Sequence, residues 1–145
     1  MPSLNAHLDL ANRNQDLIDH LTPDIGRFPE WVTTVAFYRA LHLVEAVFAT
    51  DPAIKHGGDH GKRHDYLKRN KKYKAIYEAY RPLWAASVVA RYLEDKSSAT
   101  DYSSFSKYLP VEEVKRLVLD HYLREIESSV EQLLGRPLTR GPGRI

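Results

Sequence analysis

An all-α, up-and-down bundle of four to five helices is the fold this sequence predicts, and three observations predict it. Apolar residues recur at three- to four-residue spacing through long stretches of the chain. No stretch of useful length alternates apolar with polar residues, as a half-buried strand would. The periodic stretches are separated by Pro and Gly, at Thr22-Pro23-Asp24-Ile25-Gly26-Arg27, at Asp51-Pro52 and Gly57-Gly58, and after Leu134 at Gly135, which is where helices stop.

Each element follows from local chemistry. Ser3 is a good N-cap for a first helix running to about Leu21, with Leu4, Leu8, Ala11, Ile18 and Leu21 approximating its apolar stripe. Pro29 suits the first turn of a second helix that ends near Thr50. Trp31 to Ala49 is apolar almost all the way round, so it is expected to be the central, buried helix. A third helical region starts near Asp59 or His60. It breaks near Asn70 or runs on to Tyr80, and Pro82 should kink or restart it before Leu83 to Leu93 continues. Ser97 to Tyr108 reads as a Ser-rich loop. Pro110 opens a last helix, Val111 to Leu134, capped by Gly135. Residues 1–134 are then one helical domain, and 135–145 a flexible basic tail.

The totals bound what such a bundle can do. The chain has 145 residues, 43% hydrophobic and 28% charged, with a net charge of +2. That balance is too weakly basic to mark a nucleic-acid binder by itself. It contains no cysteine, so thiolate metal sites, Cys nucleophiles and disulfides are excluded. The first fifteen residues lack the basic and apolar regions of a secretory signal, which leads us to expect a cytoplasmic protein. Trp31 to Ala49 is close to membrane-spanning length, but Arg39, His42 and Glu45 lie inside it, so no membrane association is expected.

Those same polar residues are where chemistry is expected. Tyr38, His42 and Glu45 lie three to four residues apart and share a helix face. Buried polar groups need partners, and the imidazole-rich turn His56-Gly57-Gly58-Asp59-His60-Gly61-Lys62-Arg63-His64 follows at once. The set His42, Glu45, His60 and His64 can be read as a buried hydrogen-bond network, a ligand site or a metal site. The glycines of the turn and the helix start behind them, with Lys62 and Arg63, can be read as a phosphate cradle or as an ordinary solvated connection. Arg91 shares a face with Ser87 and is expected to pair with Glu45 or to bind a phosphate. The run Lys62, Arg63, Lys68, Arg69, Lys71, Lys72 and Lys74 is interleaved with Tyr66, Tyr73, Tyr77 and Tyr80. This pattern suits either RNA or a solvated helix face whose rings pack inward.

Three pieces in order, FYRALHLVEAVFA, HGxxHxxRHxxL and YRPLWAASVVARYL, resemble a HEPN domain of bacterial or archaeal type. The resemblance rests on Phe37, Tyr38, Ala40, His42, Glu45, His60, Arg63, His64, Leu67, Tyr80, Leu83, Ser87, Ala90, Arg91 and Tyr92. It spans roughly Phe28 to Leu93. It implies an up-and-down bundle, often a homodimer, acting in RNA cleavage, nucleotide binding, or toxin–antitoxin and defence systems with an antitoxin protein as partner. Ribonuclease members of the family carry an Arg-x4-6-His motif. Arg13 with His20, Asn14 following the Arg, is one match here, and Arg116 with His121 is another. On an α-helix the five-residue step of the second pair turns the side chains about 140° apart.

The leading expectation is therefore an RNA- or nucleotide-acting HEPN-like protein, a metal-independent ribonuclease toxin without cofactor. Its catalytic candidates are His42, His60, Arg63, His64 and Arg91, with Arg116 and His121 as a second cluster. Tyr38, Glu45, Lys62, Ser87 and Tyr92 are its substrate-binding candidates. The alternatives are a non-catalytic HEPN module that binds a nucleotide or a protein partner, and a metal-binding bundle hydrolase built on His42, Glu45, His60 and His64.

Overall fold

Ser3 begins the first helix as its chemistry requires: its hydroxyl accepts from the Ala6 amide at 3.1 Å, and α1 runs Leu4–Leu21. The computed structural model describes residues 2–54 and 59–138. The chain is all-α. A 3-10 turn, Thr22–Asp24, follows α1. The next helix, α2, spans Pro29–Phe48 with the proline in its first turn. Asp59 accepts from the Lys62 amide at 2.7 Å and starts α3, His60–Arg69. Asn70 is extended and ends it. After a 3-10 turn at Lys71–Tyr73, α4 runs Lys74–Tyr92.

Three features differ from the sequence expectation. First, α4 passes through Pro82 without the restart that is one of the two expectations there. Tyr80, Leu83, Ala86 and Val89 are buried on both sides of the proline, and this packing holds the helix across the backbone bond that proline cannot make. Second, the Ser-rich segment is not simply a loop. Glu94–Asp95 (β1) and Thr100–Asp101 (β2) form a two-residue antiparallel ladder, and Phe105–Tyr108 forms α5, which inserts Phe105 into the core. Third, the last helical rod, 111–134, is not uniform. It opens as α6, Val111–Glu113, widens into a π-helix over Val114–Leu123, and closes as α7, Arg124–Leu134. Gly135 caps it at φ 70°, a conformation glycine adopts without strain.

The core forms around α2. Fifteen of its twenty residues are buried, and α1, α4, α5, the π-helix and α7 all pack on it. Two β-hydroxyls inside it, Thr33 and Thr34, turn back to the carbonyls of Pro29 and Glu30, so their burial leaves no bare donor. Arg39 is completely buried. Its Nε and one terminal nitrogen donate to Glu127 at 2.9 and 2.7 Å, and the other donates to the Ala11 carbonyl at 2.9 Å. One side chain thereby ties α2 to α1 and α7. The buried face of α1 is also more polar than its leucines suggest. His7, Ala11, Gln15 and Ile18 face inward, while Leu10 and Leu17 are exposed. Among the described residues no helix is long and apolar enough to cross a membrane.

Candidate functional site

The polar face of α2 meets three other helices. From α2 come Tyr38, His42 and Glu45; from α3, His60, Arg63 and His64; from α4, Tyr80, Trp84, Ser87 and Arg91; from α1, His7. The helical spacings set this convergence: Arg63 and His60 are three residues apart on α3, and Ser87 and Arg91 four apart on α4.

Arg63 is the hub. It is buried, and its Nε donates to Glu45 Oε1 at 2.7 Å. A terminal nitrogen lies 3.1 Å from His60 Nδ1. A guanidinium can only donate, so His60 Nδ1 is the acceptor and its ring proton sits on Nε2. His64 Nδ1 lies 3.0 Å from the His60 carbonyl. A carbonyl can only accept, so this nitrogen carries the His64 proton. His64 Nε2 is left buried with no hydrogen-bond partner among the described residues, its ring edge-on to Tyr80 at 5.4 Å and Trp84 at 5.0 Å. His42 Nδ1 meets His7 Nδ1 at 3.1 Å, the rings stacked 5.4 Å apart. One of these nitrogens donates and the other accepts, which fits two neutral rings.

All three site imidazoles are easier to deprotonate than a free histidine. Burial pushes His42 below its ordinary 6.5, the neighbouring His7 and Arg63 push the same way, and Glu45 opposes them. His60 is lowered by burial and then by Arg63 and Arg91, against Asp59. His64 is lowered mainly by burial. Burial raises the Tyr80 hydroxyl, which Arg63 partly offsets. At neutral pH the cluster is therefore a set of uncharged imidazoles beside fixed arginines.

Arg91 does not pair with Glu45, whose carboxylate is engaged by Arg63. Its Nε donates to the Ser87 carbonyl at 3.1 Å, one terminal nitrogen to Ser87 Oγ at 3.3 Å and the other to the Tyr38 hydroxyl at 3.2 Å. Its guanidinium also lies over the rings of Tyr92, Tyr38 and Phe37, at 5.3, 5.7 and 5.8 Å. His60 and Phe37 are in ring contact at 5.8 Å, so Arg91, Phe37 and His60 follow one another along the site wall.

Other expected residues stand apart. Arg116 is exposed and ion-paired with Glu113, and His121 is exposed with its ring 5.3 Å from Tyr122. Neither is hydrogen-bonded or stacked with the imidazole cluster among the described residues. Arg13 and His20 are exposed on α1. Lys62 is exposed on α3. The tyrosines of the basic run turn inward: Tyr66 packs on Phe48, Tyr73 donates to Asp51, and Tyr80 is buried. Tyr77 is half-buried in ring contact with His64, so the run presents mainly its cations to water. His56, Gly57 and Gly58 of the expected phosphate cradle lie outside the described residues. Gly61 sits within α3 in an ordinary helical environment, where an added Cβ meets only Asp59 Oδ1 at 3.4 Å. Among the described residues no three His, Asp or Glu side chains are grouped to hold a metal ion. A separate cleft is lined by none of the expected residues. That space of about 730 Å³ lies between α1 and the last rod, bordered by Gln15, Asp19, Asp120 and Glu127.

The sequence reading missed His7 and Trp84. For His7 the signal existed, since His7, Ala11, Gln15 and Ile18 follow helical spacing. A polar residue on such a stripe announces a buried partner. Comparison with protein-family models, characterised proteins and solved structures finds no match to this chain.

Proposed function

We propose that this chain is a HEPN-like protein that acts on RNA and cleaves it without a metal ion, with His42 as the general base. The observation that carries the reading is the junction of His42, Glu45, His60, Arg63 and Arg91: neutral imidazoles held beside arginines. This is the chemistry a phosphodiester needs when its own 2′-hydroxyl is the nucleophile.

In the proposed reaction His42 donates Nδ1–H to His7, so its Nε2 lone pair is available. That nitrogen takes the proton from a ribose 2′-hydroxyl as the 2′ oxygen attacks the adjacent phosphorus. The bond from phosphorus to the 5′ oxygen breaks, and that oxygen leaves as a hydroxyl after taking a proton from water. The products are a 2′,3′-cyclic phosphate and a 5′-hydroxyl end, and His42 releases its proton to solvent. Arg91 has five donors, three of them engaged within the protein. The remaining two, with His60 Nε2–H, face the charge that builds on the phosphorane. His7 orients the base, and Arg63 holds His60 in the tautomer that donates outward.

The test is cleavage of end-labelled RNA by the purified protein in EDTA. Cleavage to cyclic-phosphate ends is expected, and a 2′-deoxy substitution at the cut site should block it. His42→Ala should lower the rate by about 10²–10⁴-fold, the usual contribution of a positioned base. Equal cleavage by His42→Ala would remove the proposal. Nucleotide binding that requires Arg91, with no cleavage by the intact protein, would instead favour the non-catalytic module.

A further inference from the structure

We infer that Trp31, Tyr38 and Tyr92, the last two joined by Arg91, form a base-stacking track that leads a single-stranded nucleic acid into the imidazole site. This inference rests on the RNA-acting reading and adds the form of the substrate. Almost every large side chain of α2 is buried, yet Trp31 is 57% exposed and Tyr38 37%. The two are seven residues apart, so they lie on one face about 10 Å from each other along the axis. Tyr92 on α4 is 62% exposed. Arg91 connects the two helices by donating to the Tyr38 hydroxyl and lying over the Tyr38 and Tyr92 rings. The result is a surface of ring, guanidinium and ring, and on α2 Tyr38 lies one turn from His42, on the same side of the helix.

Two properties of this surface select its occupant. Its large aromatic side chains are left in water, and unpaired bases stack on such rings whatever their sequence. The charge within it is positive: among the described residues Arg91 donates only to the neutral oxygens of Ser87 and Tyr38 and meets no carboxylate. An anionic polymer with free π-faces matches both. A duplex, whose bases are already stacked, matches only the charge. An apolar protein surface matches only the rings.

Fluorescence anisotropy with a labelled 2′-O-methyl oligonucleotide of about twelve residues, close to common single-strand site sizes, separates binding from cleavage, because the capped 2′ oxygen cannot attack. The single strand should bind at least tenfold more tightly than the same strand annealed to its complement. Trp31→Ala and Tyr92→Ala should each weaken binding roughly 5- to 100-fold, the range for losing one stacked base, and Trp31→Phe should restore most of the loss. Both side chains are exposed, so folding is not at stake. Binding that ignores both Ala variants, or equal binding of duplex and single strand, overturns the track and leaves the RNA reading standing. So does self-association in sedimentation velocity that Trp31→Ala abolishes while oligonucleotide affinity is unchanged, which would assign the face to a second copy of the chain. Failure of the intact protein to bind either strand removes the track and the RNA reading together.

Discussion

His42 shows how neighbours rather than identity set a residue's chemistry. Its imidazole is pulled down by burial, by His7 and by Arg63, and held up by Glu45. Removing one neighbour should move its titration in a known direction. In Glu45→Gln the charge that opposes these effects is gone, so the His42 pKa should fall further. In His7→Gln it should rise toward 6.5. Two-dimensional NMR of the imidazole resonances across pH 4–8 checks both, and shifts of the opposite sign would refute this account of the site. The polar residues on α2 were readable in the sequence because each interrupts an apolar run. Their partners were only half readable. Arg63 took Glu45 and left Arg91 to Ser87 and Tyr38, and sequence spacing cannot choose between two arginines that arrive from different helices.

Among the elements, α3 carries the most chemistry on the least structure. It has ten residues, only two of them buried, Arg63 and Leu67. Helices this short are marginal alone, so the Asp59 cap matters. Asp59→Ala should cost about 0.5–2 kcal/mol and should speed hydrogen exchange at the Lys62 and Arg63 amides ahead of those in α2. Uniform protection across both helices would argue against a local role. Caps were the most readable features of the fold: Ser3 and Gly135 each act where the sequence places them, since the signal is one residue deep. The π-helix was not read in advance, although its trace is visible. Val114, Val118, Leu123, Ile126 and Val130 are buried, and the five-residue step from Val118 to Leu123 departs from α-helical spacing. The widened turn brings a five-residue step closer to one full revolution, yet Arg116 and His121 are each engaged with other neighbours, Glu113 and Tyr122.

For the whole molecule, the buried Arg39–Glu127 pair joins three helices and so bears on global stability. Arg39→Ala leaves a carboxylate buried beneath the surface and should cost about 3–5 kcal/mol in urea unfolding. Arg39→Met combined with Glu127→Leu should recover most of that, because two well-packed apolar groups remove the desolvation cost. No recovery would mean the pair itself is needed for the fold. Stability should also depend on acid. His42, His60 and His64 sit below 6.5 in the fold, so the unfolded chain binds more protons just under that pH. Their contribution is complete at neutral pH and above, and is lost as pH falls through 6.5 toward the lower folded values. Asp51, held at about 2 by Lys72 and Tyr73, acts in the same direction: its contribution holds above 3.8 and disappears toward pH 2. Tm should therefore be flat from pH 7 to 8 and decline below 6.5. A Tm that rises on acidification would contradict the assignment.

The edge-on contact between His64 and Trp84, 5.0 Å between ring centres, gives the chain an optical probe of its own interior. An imidazolium is a strong acceptor of an excited indole's electron, and a neutral imidazole is a poor one. With Trp31 changed to Phe, Trp84 is the remaining tryptophan, and its emission should dim as His64 gains its proton. Dimming that precedes the loss of helical circular dichroism would time the charging of the pocket separately from the collapse of the bundle.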